Sequence, residues 1–154
     1  MKKRIHRYSM LDVMMASPTA STPQADGQLL RMWAAFASIK ADPHPSTNDW
    51  RLCSDAVNLV ETVVTEGLAE DAQGLLQDAV AALAKAGQRN LQGKPIRLDG
   101  EGIRAVQAIL EDYEALLAAL SHRQMMMVHR KTEKRIWDIL DGKRLPHDVE
   151  VVSV

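Results

Sequence analysis

The sequence predicts an all-α fold: a compact bundle of about five helices, with a flexible basic N-terminal arm and a short extended C-terminal tail. Two observations lead there. Of 154 residues, 46% are hydrophobic, yet aromatics make up only 4%, so the core must be built from Ala, Leu, Val and Met. That balance suits packed helices better than a β-sandwich, which draws on Tyr, Phe, Thr and Gly. Apolar residues also recur at alternating three- and four-residue steps in several segments, the period of one helical face. Residues 1–25 read as arm and linker, 26–145 as the bundle domain and 146–154 as the tail.

The arm opens on "MKKRIHRY" and passes through "ASPTASTPQ", whose Ser, Thr and Pro content is that of a linker. The apolar piece "MLDVMMA" is short and carries Asp12, which argues against an export signal. Asp26 is the expected cap of a first helix, about 27–41, whose Leu29, Met32, Phe36 and Ile39 share a face. "ADPHPST" ends it, because closely spaced prolines cannot continue a helix.

Thr47 or Asn48 is the expected cap of a second helix, about 49–66, with Trp50, Cys53, Val57, Val60 and Val64 inward and Gly67 as terminator. Asp55 and Asn58 fall on its polar face, with Asn58 a candidate buried polar residue should this helix be central. A third, Ala-rich helix is expected at about 69–86, closed by Gly87. Asp99 caps a fourth at about 100–120, whose stripe Ile103, Val106, Leu110, Tyr113, Leu117 and Leu120 is the most regular in the chain. That regularity points to the fourth helix as the central one. The tail "HDVEVVSV" has β-branched character and is expected to pair with "KPIRL" as a strand.

The fifth helix holds the most unusual stretch, "SHRQMMMVHRKTEKR". Ser121 and Gln124 form a capping-box pattern, so a new helix starts at Ser121 and runs to about Leu140. At about 100° per residue, Met125, Val128, Thr132, Ile136, Ile139 and Leu140 take the core side. Arg123, Arg130, Lys131, Lys134 and Arg135 supply a basic character, and Met127 sits among these cations. Met126 and Trp137 lie on a flank beside Glu133, His122 and His129. Lys134 and Asp138 are placed to pair at i, i+4. Flexible apolar side chains ringed by charge suit adaptable protein-binding surfaces, so Met126, Met127 and Trp137 are the candidate partner-binding residues.

Charge is unevenly spread behind a formal net charge of −1. Residues 1–7 hold four Lys/Arg and no acid, residues 121–144 hold seven against three acids, and residues 45–120 hold twelve acids against six bases. The basic helix and arm make Arg123, Arg130, Lys131, Lys134 and Arg135 the candidate nucleic-acid contacts. A pI near 6.5 is far below that of dedicated nucleic-acid binders. The "LSHRQ" stretch is similar over about five residues to the start of sigma-type helix-turn-helix units. No Gly-containing turn and second recognition helix follow, so nothing is carried over from that likeness.

Catalytic and metal signatures are lacking. His122 and His129 stand roughly 10.5 Å apart along a helix, too far to share an ion. Only His129 with Glu133, completed by Glu111 or Asp112, has ligand-like spacing, and no paired-Cys or Glu-x-x-His pattern supports it. The single cysteine, Cys53, falls on an apolar stripe, where a buried and inert thiol is expected, and it excludes an internal disulfide.

These readings lead to a non-catalytic helical adaptor or regulator acting by macromolecular binding. It is expected to be cytoplasmic, with a protein partner or a second copy in a homodimer, and with no membrane, cofactor, metal or small-molecule substrate. A nucleic-acid-binding regulator is the first alternative. The second is an inhibitor that occupies a basic groove of a host nucleic-acid or defence complex through the acidic surface of 45–120, including Glu111 and Glu114. This small, helical, catalytically plain profile is shared by accessory proteins of phages and plasmids, a likeness that no motif carries.

Overall fold

The computed structural model describes the backbone of residues 23–141. The expected basic arm and extended tail fall mainly on 1–22 and 142–154, outside the described residues. Five α-helices follow one another: α1 (Pro23–Ala41), α2 (Thr47–Thr65), α3 (Leu76–Leu91), α4 (Gly100–Ala119) and α5 (His122–Leu140). Among the described residues there is no strand, and "KPIRL" is an irregular connector.

The central helix is α2, and not α4 as its stripe suggested. It packs against all four others, whereas α4 packs on α1, α2 and α3. Regularity of a stripe reports one buried face, while a central helix is buried on several. Residues 56–63 of α2 are all buried, including Asn58, Glu61 and Thr62. Its buried polar residues read in the sequence as a solvated face, which hid its position.

Local chemistry explains most helix ends. Ser46, and not Thr47 or Asn48, caps α2: its Oγ accepts from Asp49 N (3.0 Å), while Asp49 Oδ2 accepts from Ser46 N (3.1 Å) and from the Ser38 hydroxyl of α1 (2.9 Å). One carboxylate therefore completes a capping box and ties α1 to α2. At the far end Leu68 N donates to Val63 O and Gly67 N to Val64 O, with Gly67 at φ 73°. This is a Schellman ending that needs the left-handed backbone glycine supplies.

α3 starts seven residues later than expected. The segment after Gly67 is occupied by turns, and Asp71 caps α3 from outside by accepting from Leu75 N (3.2 Å) and Leu76 N (3.1 Å). Gly87 does not end α3. It is buried inside the helix, which runs on to Leu91 and closes in a second Schellman ending, Lys94 N to Arg89 O and Gly93 N to Asn90 O.

The core joins Phe36 and Ile39 of α1, Trp50, Val57 and Val60 of α2, Val80 and Leu83 of α3, and Val106, Ile109 and Leu110 of α4. Trp50 is fully buried and its indole N–H donates to Leu83 O (2.8 Å), so the largest core side chain also satisfies its one polar atom. Gly102 lets α4 approach α3 closely: a Cβ there would stand 3.0 Å from Ala82 Cβ. On the outer side, Trp33 of α1 donates its indole N–H to Glu114 of α4 (3.0 Å).

Candidate functional site: helix α5 and its polar seam

α5 begins as the sequence requires. Gln124 N donates to Ser121 Oγ (3.1 Å) and Ser121 N donates to Gln124 Oε1 (2.9 Å), a reciprocal box that starts the helix directly after α4. α5 then seats on α2, the one helix with which it packs extensively. Among the described residues its one member of the main core is Val128.

Met126 and Ile139 of α5 are also buried, and beside them the seat carries a polar cluster. Arg135 Nη1 lies 3.0 Å from Glu61 Oε2, and its Nη2 donates to Asn58 O (3.2 Å). Next to this pair the Thr132 and Thr62 hydroxyls meet at 2.6 Å. Glu61, Asn58 and Ser54 are all at least 96% buried, and Glu61 Oε1, Asn58 Nδ2 and Ser54 Oγ have no hydrogen-bond partner among the described residues. Burying such atoms costs free energy that apolar contacts must offset. These unsatisfied groups favour a weaker hold on α5 than on the helices joined through the main core. A groove of about 230 Å³ opens beside the seam, walled by two exposed ion pairs, Lys131 with Glu66 (2.7 Å) and Lys134 with Asp138 (3.0 Å).

The three methionines resolve differently from the expected wheel. Met126 is the buried one, at 4% exposure, Met125 is half-buried, and Met127 is 47% exposed. Met126 is thus removed from the candidate partner surface, since its side chain is already covered within the chain. Met127 and Trp137, the latter 42% exposed, remain on the outer half of the helix.

The candidate nucleic-acid cations do not form one open face. Arg135 is drawn into the seam, with its side chain 17% exposed against Glu61. Lys131 and Lys134 pair at the surface with Glu66 and Asp138 and stay exposed. Arg130 is half-buried, and Arg123 is exposed near the start of the helix. The structure brings Arg135 together with Glu61, Asn58 and the two threonines, a cluster that sequence reasoning missed. The available signal was the i, i+4, i+7, i+8 spacing of Ser54, Asn58, Glu61 and Thr62, a polar stripe parallel to the apolar one on the same helix.

Elsewhere, Cys53 is fully buried, and burial followed by the nearby charge of Asp49 pushes its thiol up to about 12. That is the inert thiol its position implied. Burial, with the charges of Asp71 and Glu111, raises the carboxyl of Asp112. Burial with the charge of Asp55 raises the Tyr113 phenol. Among the described residues no three His, Cys, Asp or Glu side chains gather as they would around a metal ion, and no helix is long and apolar enough to cross a membrane. No family of proteins, no characterised protein and no solved structure matches the chain.

Proposed function

We propose that the chain is a non-catalytic adaptor that binds another protein through the outer half of α5, with Met127 and Trp137 as its apolar contacts. The observation that supports this reading is a contrast on one helix. Five large hydrophobic side chains are left exposed among the described residues, and α5 carries two of them, while Leu30, Leu68 and Leu91 lie scattered on other segments. On the same helix three of the five candidate nucleic-acid cations, Lys131, Lys134 and Arg135, are engaged by carboxylates. An ion pair already made within the protein has less to offer a phosphate backbone, whose affinity depends on the cations that neutralise it. Exposed Met and Trp beside charge are suited to a protein surface that desolvates a small apolar centre within a polar rim.

The test compares wild type with Met127→Asp and Trp137→Asp, each verified as folded by circular dichroism. Tagged proteins are used to capture partners from nuclease-treated bacterial lysate, and light scattering reads self-association. The reading predicts that wild type retains a defined protein, or a second copy of itself, and that both variants lose it. Retention unaffected by either variant, or a complex that disappears with nuclease, rules the reading out.

A further inference from the structure

A second site lies away from α5, at the end of the molecule where α3 gives way to α4. An open groove of about 360 Å³ lies there, lined by Ala82, Lys85, Arg89, Arg97, Leu98 and Asp99. Lys85 and Arg89 come from successive turns of α3, Arg97 from the connector and Asp99 from the cap of α4, so a helix, a connector and a cap meet on one space.

The groove is built by rigid local structure. The Schellman ending at Gly93 turns the chain back along α3. Ile96, only 1% exposed, plugs the connector into the core and anchors the adjoining Arg97 and Leu98. Arg89 donates its Nε–H to Pro95 O (3.0 Å), so one edge of the guanidinium is clamped and its plane is set. Ala82 forms part of the apolar floor, at the point where α3 meets Gly102 of α4.

The electrostatics are unbalanced. Three cations line the groove against one carboxylate, and that carboxylate is committed: Asp99 Oδ1 accepts from Gly102 N at 2.6 Å. Among the described residues none of Lys85, Arg89 and Arg97 forms an ion pair, unlike Lys131, Lys134 and Arg135 of α5. Asp99 offsets only one of the three positive charges, and holding the other two close together is unfavourable unless an anion relieves it. The walls supply a planar guanidinium fork and a lysine, which together match the several oxygens of a phosphate.

We propose that the Lys85–Arg89–Arg97 groove binds a phosphate group. The group belongs either to a small free phosphate compound or to the backbone of a nucleic acid, and the two sources share this chemistry. The site is independent of the α5 surface.

The test uses two probes on the full chain: pyrophosphate titrated by calorimetry, and a short fluorescent oligothymidine strand followed by anisotropy. Wild type is compared with Lys85→Ala/Arg97→Ala, both exposed positions, and with Arg123→Ala on α5 as a control. At least one probe is expected to bind wild type and to bind the double variant about tenfold or more weakly, since each substitution removes a charge-assisted contact. The control is expected to keep wild-type affinity. Pyrophosphate binding identifies a free phosphate compound, and binding of the strand alone identifies a phosphodiester backbone. The proposal is overturned if neither probe binds, if the double variant binds as wild type does, or if Arg123→Ala alone removes binding.

Discussion

Arg135 Nη1 of α5 stands 3.0 Å from Oε2 of Glu61 on α2, with the Glu61 side chain only 4% exposed. A carboxylate that far from water is tolerable only while the guanidinium stays beside it. Replacing Arg135 by Met keeps the bulk and removes the charge, so Glu61 is stranded. The expected loss is about 3 kcal/mol in urea denaturation, the scale for breaking a buried pair. Glu61→Leu with Arg135→Leu removes both charges and is expected to recover most of that loss. A double variant as unstable as Arg135→Met alone would show that the pair contributes net stability through its geometry.

The threonine contact beside it follows the same logic with neutral groups. Thr62 and Thr132 hydroxyls lie 2.6 Å apart, and each also lies near a carbonyl four residues earlier, Asn58 O at 3.1 Å and Val128 O at 2.8 Å. Two protons serve these contacts, one bridging the hydroxyls and one going to a carbonyl. Thr132→Val alone removes the donor to Thr62 and leaves the Thr62 hydroxyl with Asn58 O as its remaining partner, and is expected to cost about 1 kcal/mol. Thr62→Val/Thr132→Val replaces the polar contact by two methyl groups and is expected to fall within about 1 kcal/mol of wild type. A double-mutant cycle by chemical denaturation checks both values.

These two contacts also mark where the sequence stopped being legible. Apolar spacing placed Phe36, Trp50, Val57, Val106 and Leu110 in the core correctly, because burial of a hydrocarbon face leaves a period that needs no partner to be seen. The Ser121–Gln124 box and the Asp99 cap were legible because both partners lie within three residues. The Asp71 cap on α3 was not, since the loop between it and Leu75 has no fixed spacing rule. Arg135 and Glu61 are 74 residues apart, and each alone reads as a solvated charge. Met126 was misplaced: the wheel puts it on the flank, whereas its side chain is 4% exposed in the structure.

Cys53 gives a prediction in pH. Its thiol is raised from 9.0 to about 12 by burial, so the folded protein keeps the proton where the unfolded chain releases it. Above pH 9 the unfolded state binds fewer protons than the folded one, and stability falls as pH rises toward 12, by up to about 1.4 kcal/mol per pH unit from this group. Below pH 9 the group contributes no slope. Cys53→Ala is expected to flatten the decline between pH 9 and 10.5 relative to wild type, measured by urea denaturation. At pH 8 a thiol reagent should modify Cys53 only as fast as the protein opens. Labelling at the rate of a free thiol in the native protein contradicts the buried assignment.

The weakness of the α5 seat should be visible in hydrogen exchange. α5 rests chiefly on one neighbour, contributes only Val128 to the main core, and meets α2 through Glu61, Asn58, Thr62 and Arg135. Elements with few buried apolar contacts open at lower free energy than the global unfolding reaction. α5 amides are therefore expected to exchange faster than those of α2, which has neighbours on several sides. Ser121→Ala removes the side-chain acceptor for Gln124 N, at a cost of about 1 kcal/mol to the helix. Because that loss falls on α5 alone, it should speed exchange along α5 and leave the α2–α3–α4 core amides close to their wild-type rates. Equal acceleration across all five helices would mean that α5 unfolds only with the whole domain, and the picture of a separately seated helix would be wrong.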